Sequence, residues 1–154
     1  MVIILGELTL KNIIDKTVKK LIKKYNTRDP FELTRYLNIK VLQEPLGKHI
    51  KGFYQLCPKN KVIHINQDLE DAEKTFICSH ELGHALLHTK LNILFLERNT
   101  FCVKNRYEIE ANTFASCLMI KDDLVQAYPD YFTLEQIAAS ENLPVELLKL
   151  KFNI

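Results

Sequence analysis

The stretch Phe76-Ile77-Cys78-Ser79-His80-Glu81-Leu82-Gly83-His84-Ala85-Leu86-Leu87-His88 decides how this chain is read. Its apolar residues Phe76, Ile77, Leu82, Ala85, Leu86 and Leu87 recur at three- and four-residue intervals with no proline between them, which predicts a helix. On such a helix His80 and His84 lie one turn apart on one face, where two imidazoles can hold one ion. Glu81 sits about 100° further round, so its carboxylate can reach a metal-bound water without being a ligand. This is the arrangement for metal-assisted hydrolysis. The ion acidifies water and polarises a carbonyl, and the carboxylate moves the proton. His88 continues the same face, but about 12 Å along the axis from His80, too far for three imidazoles around one ion. It reads as a helix-end histidine near the carbonyl dipole.

A third ligand is sought downstream, in Tyr107-Glu108-Ile109-Glu110-Ala111-Asn112-Thr113-Phe114-Ala115-Ser116-Cys117-Leu118. Here Ala111, Phe114, Ala115 and Leu118 make an inward stripe at helical spacing, with two carboxylates at its start. A second helix crossing the first can supply one carboxylate to a two-histidine, one-glutamate site that keeps a fourth position for water. Periodicity does not choose between Glu108 and Glu110, since both flank the stripe.

His-Glu-Leu-Gly-His-Ala-Leu-Leu-His followed by Glu-x-Glu-Ala-Asn-x-Phe-Ala resembles the ImmA/IrrE family of small metallopeptidases of phages, mobile elements and bacterial genomes. Val62-Ile63-His64-Ile65-Asn66 resembles the family's strand before the active-site helix. The resemblance spans roughly residues 50 to 150 and implies one Zn²⁺, held by His80, His84 and Glu110, with Glu81 as general base. It places Glu110 rather than Glu108 as third ligand, because Glu110 immediately precedes Ala111-Asn112. Two departures stand out. Leu118-Met119-Ile120-Lys121 lacks the proline that often follows the family's second helix, and Phe114 stands where thermolysin-like enzymes carry an aspartate to orient a histidine. Asn112 is a candidate for that orienting role.

Around these two helices, 154 residues with 47% apolar and 26% charged side chains suit one folded domain. Met1 to Leu5 is too short and lacks the basic leader of a secretory signal. No run approaches the roughly 18 apolar residues of a membrane helix. The four cysteines (57, 78, 102 and 117) form no Cys-x-x-Cys pair and read as free thiols in a reducing cytoplasm. Leu10, Ile13, Ile14, Thr17, Val18, Leu21, Ile22 and Tyr25 form an amphipathic helix whose other face carries Lys11, Lys16, Lys19, Lys20, Lys23 and Lys24. A net charge of +2 argues against a dedicated nucleic-acid binder. Asp29-Pro30 opens a short helix through Leu37. Ile39 to Leu42, Gly52 to Leu56 and Lys61 to Ile65 read as strands, the last two a hairpin around Pro58-Lys59-Asn60. Residues 89 to 106 read either as a hairpin or flap over the cleft or as a packed connection.

Thr133 and Gln136 make a capping box at the head of a C-terminal segment with helix–turn–helix character. Its second helix, Pro144 to Phe152, offers only Lys149 and Lys151 as cations and no arginine to read bases. The expected fold is therefore α+β: a mainly helical, zincin-like domain over residues 1–154. Its parts are N-terminal helices (1–38), a small antiparallel sheet (39–66) ahead of the metal-site helices (69–128), and a helix-turn-helix-like end (133–154). The resemblance implies a cytoplasmic zinc endopeptidase acting on a specific protein, a helix–turn–helix repressor of a phage or mobile element. The alternative is a non-catalytic module that binds its partner and carries a structural or vestigial zinc site. Glu81 favours the enzyme, because a structural site closes four protein ligands and has no use for a base.

Overall fold

A computed structural model of the protein describes residues 2–89 and 101–154. Along the chain come α1 (Val2–Tyr25), α2 (Pro30–Tyr36), β1 (Ile39–Glu44), β2 (Gly52–Leu56), β3 (Lys61–Asn66) and α3 (Asp71–Leu87). They are followed by α4 (Phe101–Met119), a 3-10 turn (Val125–Ala127), α5 (Leu134–Ser140) and α6 (Val145–Phe152). Six α-helices and one three-stranded sheet among the described residues make the fold α+β. None of these helices is long and apolar enough to cross a membrane. Residues 90–100, which hold most of the expected flap or connection, lie outside the described residues; Phe101 to Val103 open α4.

The helix ends follow local chemistry. The Asp29 carboxylate accepts from the Phe31 N–H at 2.9 Å with Pro30 at the first helical position, so α2 starts where the sequence puts it. Thr133 and Gln136 close the capping box that opens α5. Asn26, Asn38, Asn142 and Asn153 follow α1, α2, α5 and α6 with φ of 52–55° in the first three and 57° in the last. Asparagine is one of the few side chains that tolerate this left-handed cap. α4 has no such residue; Arg28 donates from Nη1 to the Cys117 and Leu118 carbonyls (3.2 and 2.9 Å) and satisfies its last turn.

The sheet runs β1-β3-β2. β2 and β3 form the expected antiparallel hairpin, closed by Cys57 and Asn60, whose backbone N–H groups each donate to the other's carbonyl. β1, however, pairs with β3 in parallel, so the sheet is mixed and not antiparallel throughout. The loop after β1 reverses the chain and carries it to the far edge, and β3 then inserts between its neighbours with β1's direction. Asn66 holds that loop, donating from Nδ2 to the Gly47 and Ile50 carbonyls (2.8 and 2.9 Å), and Gly47 turns it at φ +78°.

One core gathers Ile14 and Val18 of α1, Leu33, Ile63 and Ile65, Leu82 and Ala85 of α3, and Phe114 and Leu118 of α4. A smaller one packs Ile120 against Ile137, Ala138, Leu147 and Leu148. Two glycines set the approach distances. A Cβ on Gly83 would stand 3.1–3.2 Å from Phe114 and Ala111, so its absence lets α3 and α4 cross closely. A Cβ on Gly52 would lie 2.5 Å from Ile77 Cγ2, so only glycine brings β2 against α3. The α1 lysine face is partly spent on the fold: Lys11 bonds the Lys151 carbonyl and the Asn153 side chain, and Lys19 pairs with Asp15 and Asp122.

Candidate metal centre

α3 is buried from Ile77 to Ala85, and that burial brings the polar part of the motif against α4. His80 and His84 point their Nε2 atoms at one another, 3.2 Å apart. Glu108 bridges them, with Oε2 3.1 Å from His80 Nε2 and Oε1 3.2 Å from His84 Nε2. Among the described residues these three form the group whose ligand atoms converge closely enough to share an ion. Ligands about 2.0–2.1 Å from a tetrahedral zinc stand about 3.3 Å from one another, so the donor set fits the metal in type and in spacing.

Glu110, the expected third ligand, lies elsewhere. Its Oε2 is 2.8 Å from His88 Nε2, and its Oε1 accepts from Arg106 Nε at 2.8 Å. The cause is helical rotation. Residues 108 and 110 are about 200° apart around α4, so they cannot face the same ion. Asn112, one turn beyond Glu108, does share its face, and its Oδ1 accepts from His80 Nδ1 at 2.8 Å. The structure thus places Glu108 beside the histidines, and Asn112, the residue the sequence offered for orienting a histidine, within hydrogen-bond distance of His80. The pairing of two i,i+4 couples, His80/His84 with Glu108/Asn112, was the available sequence signal.

Glu81 lies beside this group with Oε2 buried and without a hydrogen-bond partner among the described residues. Burial pushes its carboxyl above the usual carboxylate range, against the pull of His80 and His84, while the Tyr54 backbone N–H hydrogen-bonds it. Glu108 moves the other way: hydrogen bonds from His80 and His84 hold it well below the usual range. The two carboxylates, which line one cleft, are thereby shifted in opposite directions. The cleft they face is bordered by Gly52 and Phe53 of β2 and by Phe76 and Ile77 of α3. His64 is engaged on the sheet by Glu44 (2.5 Å) and Gln55 (2.9 Å).

His88 is more than a helix end. It caps α3 through its N–H to the His84 carbonyl, is buried, and holds its Nδ1 2.9 Å from His84 Nδ1. The Tyr107 ring packs edge-on against it, 4.5 Å between centroids. Its role was not readable from α3 alone, because both of its partners outside the motif come from α4.

A peptidase family model described as the IrrE N-terminal-like domain matches residues 34–153. The chain is 45% identical over 150 residues to "Uncharacterized immunity region protein 2" of Bacillus phage phi105, across 94% of this chain and 95% of that protein. It is 33% identical over 141 residues to "Metallopeptidase ImmA" of Bacillus subtilis, across 88% of this chain and 81% of that one. With the histidine pair, the buried glutamate beside it and the carboxylate supplied by α4, these similarities establish that the chain belongs to the ImmA/IrrE family of metallopeptidases.

Proposed function

We propose that this protein is a zincin-like, zinc-dependent endopeptidase, with one ion held by His80, His84 and Glu108 and with Glu81 as general base. The observation that carries this reading is the convergence of those three donors beside a buried carboxylate oxygen that lacks a partner among the described residues. Zinc bound there would supply Lewis acidity, lowering the pKa of water and polarising the scissile carbonyl. Glu81 Oε2 takes a proton from the attacking water and delivers it to the leaving amine, a role its partnerless oxygen beside the converging ligands leaves it free to fill. Asn112 keeps His80 Nε2 aimed at the ion. A structural zinc site would leave the Glu81 carboxylate without work.

β3 is the central strand and cannot take a new partner, so the substrate platform is the edge strand β2, whose Gly52 and Phe53 border the cleft. An extended peptide pairing there would lie across Glu81. For the substrate we propose a helix–turn–helix repressor of a phage or mobile element, in the cytoplasm. The likeness to a phage immunity-region protein supports that choice. The C-terminal helix–turn–helix-like pair is given a packing role, since its Lys151 is buried and paired with Asp122.

Elemental analysis of the purified protein beside Glu108→Ala and Glu110→Ala tests the centre. Near-stoichiometric zinc that is lost with Glu108→Ala and largely kept with Glu110→Ala is expected. The reverse pattern would restore Glu110 as ligand, and no zinc in any sample would remove the metal reading. Incubation with repressors from the same genetic element, read by mass spectrometry, tests the substrate; intact repressors throughout would reject it.

A further inference from the structure

His84 is held by a different device from His80, and that device accounts for the buried Glu110. Working inward from the surface, Arg106 Nε donates to Glu110 Oε1 at 2.8 Å, and Glu110 Oε2 lies 2.8 Å from His88 Nε2. His88 Nδ1 in turn lies 2.9 Å from His84 Nδ1. An ionised carboxylate only accepts, so the proton between Glu110 and His88 belongs to His88 Nε2. With its one ring proton committed there, His88 presents a lone pair at Nδ1, which can only accept from His84 Nδ1–H. Once a metal takes the place of the proton that Glu108 draws to Nε2, His84 keeps its proton on Nδ1 and turns a lone pair toward the ion at Nε2, the atom that faces His80 and Glu108. We infer that His88 and Glu110 form a positioning relay that fixes the tautomer of His84, so that Nε2 is free to bind the metal. Both relay residues are buried, at 4% and 8% relative exposure, and the Tyr107 ring fixes the plane of His88.

This inference rests on the metal centre proposed above, but its first readout does not require metal. Long-range 15N–1H spectra of zinc-free Glu108→Ala protein, in which no carboxylate faces His84 Nε2, report the protonated nitrogen of each imidazole. In that background, His84 carrying its proton on Nδ1 and His88 on Nε2 is expected. Glu110→Ala and His88→Phe should each mix the His84 tautomers there and, in the otherwise wild-type chain, weaken zinc roughly 10–100-fold in competition with a chelator. Glu110→Gln, which keeps an acceptor oxygen, should recover most of that loss; a general packing defect would not be rescued this way. A His84 protonated on Nε2 in the Glu108→Ala background would overturn the relay, as would an unchanged tautomer in both disruptive variants. If the tautomers behave as expected but wild-type protein binds no zinc, the relay stands and the peptidase reading falls.

Discussion

Two places among the described residues bury charge, and they do so in opposite ways. Between α1, α6 and the segment after α4, Lys151 sits inside with its ammonium 2.5 Å from Asp122 and 3.6 Å from Asp15, while Lys19 closes the other side of both acids. Each charge there has its opposite, and the cluster acts as a staple between the ends of the chain. Between α3 and α4, three histidines and three carboxylates are packed together, yet Glu81 Oε2 has no partner among the described residues and faces the cleft beside the converging ligands. Buried charge that is fully paired holds a fold together; buried charge left one partner short identifies a site.

If that contrast is right, changes at the two poles have different readouts. The largest effect belongs to Glu81→Gln. It should keep zinc at the wild-type level and lower repressor cleavage by roughly two to four orders of magnitude, the usual worth of a general base. Retained cleavage would take Glu81 out of that role. Next come prolines placed one at a time along β2. Outside Gly52, where an added Cβ would meet Ile77 and disturb α3, each backbone donor lost to the substrate should reduce kcat/KM by about tenfold with zinc still bound. Cleavage that is indifferent to every proline would rule out the platform.

The smallest effect is at the staple. Lys151→Met should cost about 1–2 kcal/mol in urea unfolding, since Asp122 remains largely solvated, and should leave zinc content untouched. It should also flatten the acid limb of stability. The hydrogen bond from Lys151 depresses the Asp122 pKa, so that contribution is complete above the ordinary aspartate range and is lost as pH falls through the depressed value. A melting temperature with the same acid dependence in wild type and variant would show that the staple carries no such linkage.

What was legible in the sequence was local. The i,i+4 histidines with Glu81 between them, the Asp29-Pro30 start, the Thr133/Gln136 box and the β2–β3 hairpin all depend on neighbours within a few residues. The choice between Glu108 and Glu110 does not. It depends on how α4 is rotated against α3, which is set by the close crossing at Gly83 and Ala111, a contact between residues 28 apart in sequence. The direction of β1 was hidden for a related reason, because a loop's path across a sheet leaves no periodic trace in composition. His88 looked idle because the groups that employ it, Glu110 and Tyr107, come from the other helix.

Arg28 and α1 carry a consequence for where this protein begins as a physical object. The family match starts at residue 34, yet Arg28 closes the end of α4, and Ile14 and Val18 lie completely or almost completely buried beneath the metal-site helices. A chain trimmed to residues 34–153 would keep every side chain of the site, yet it would bare two carbonyls and open a trough along the floor of the core. The stretch that the family model covers and the unit that folds therefore have different borders, and the pair of helices that carries the site stays closed only with α1 and Arg28 in place.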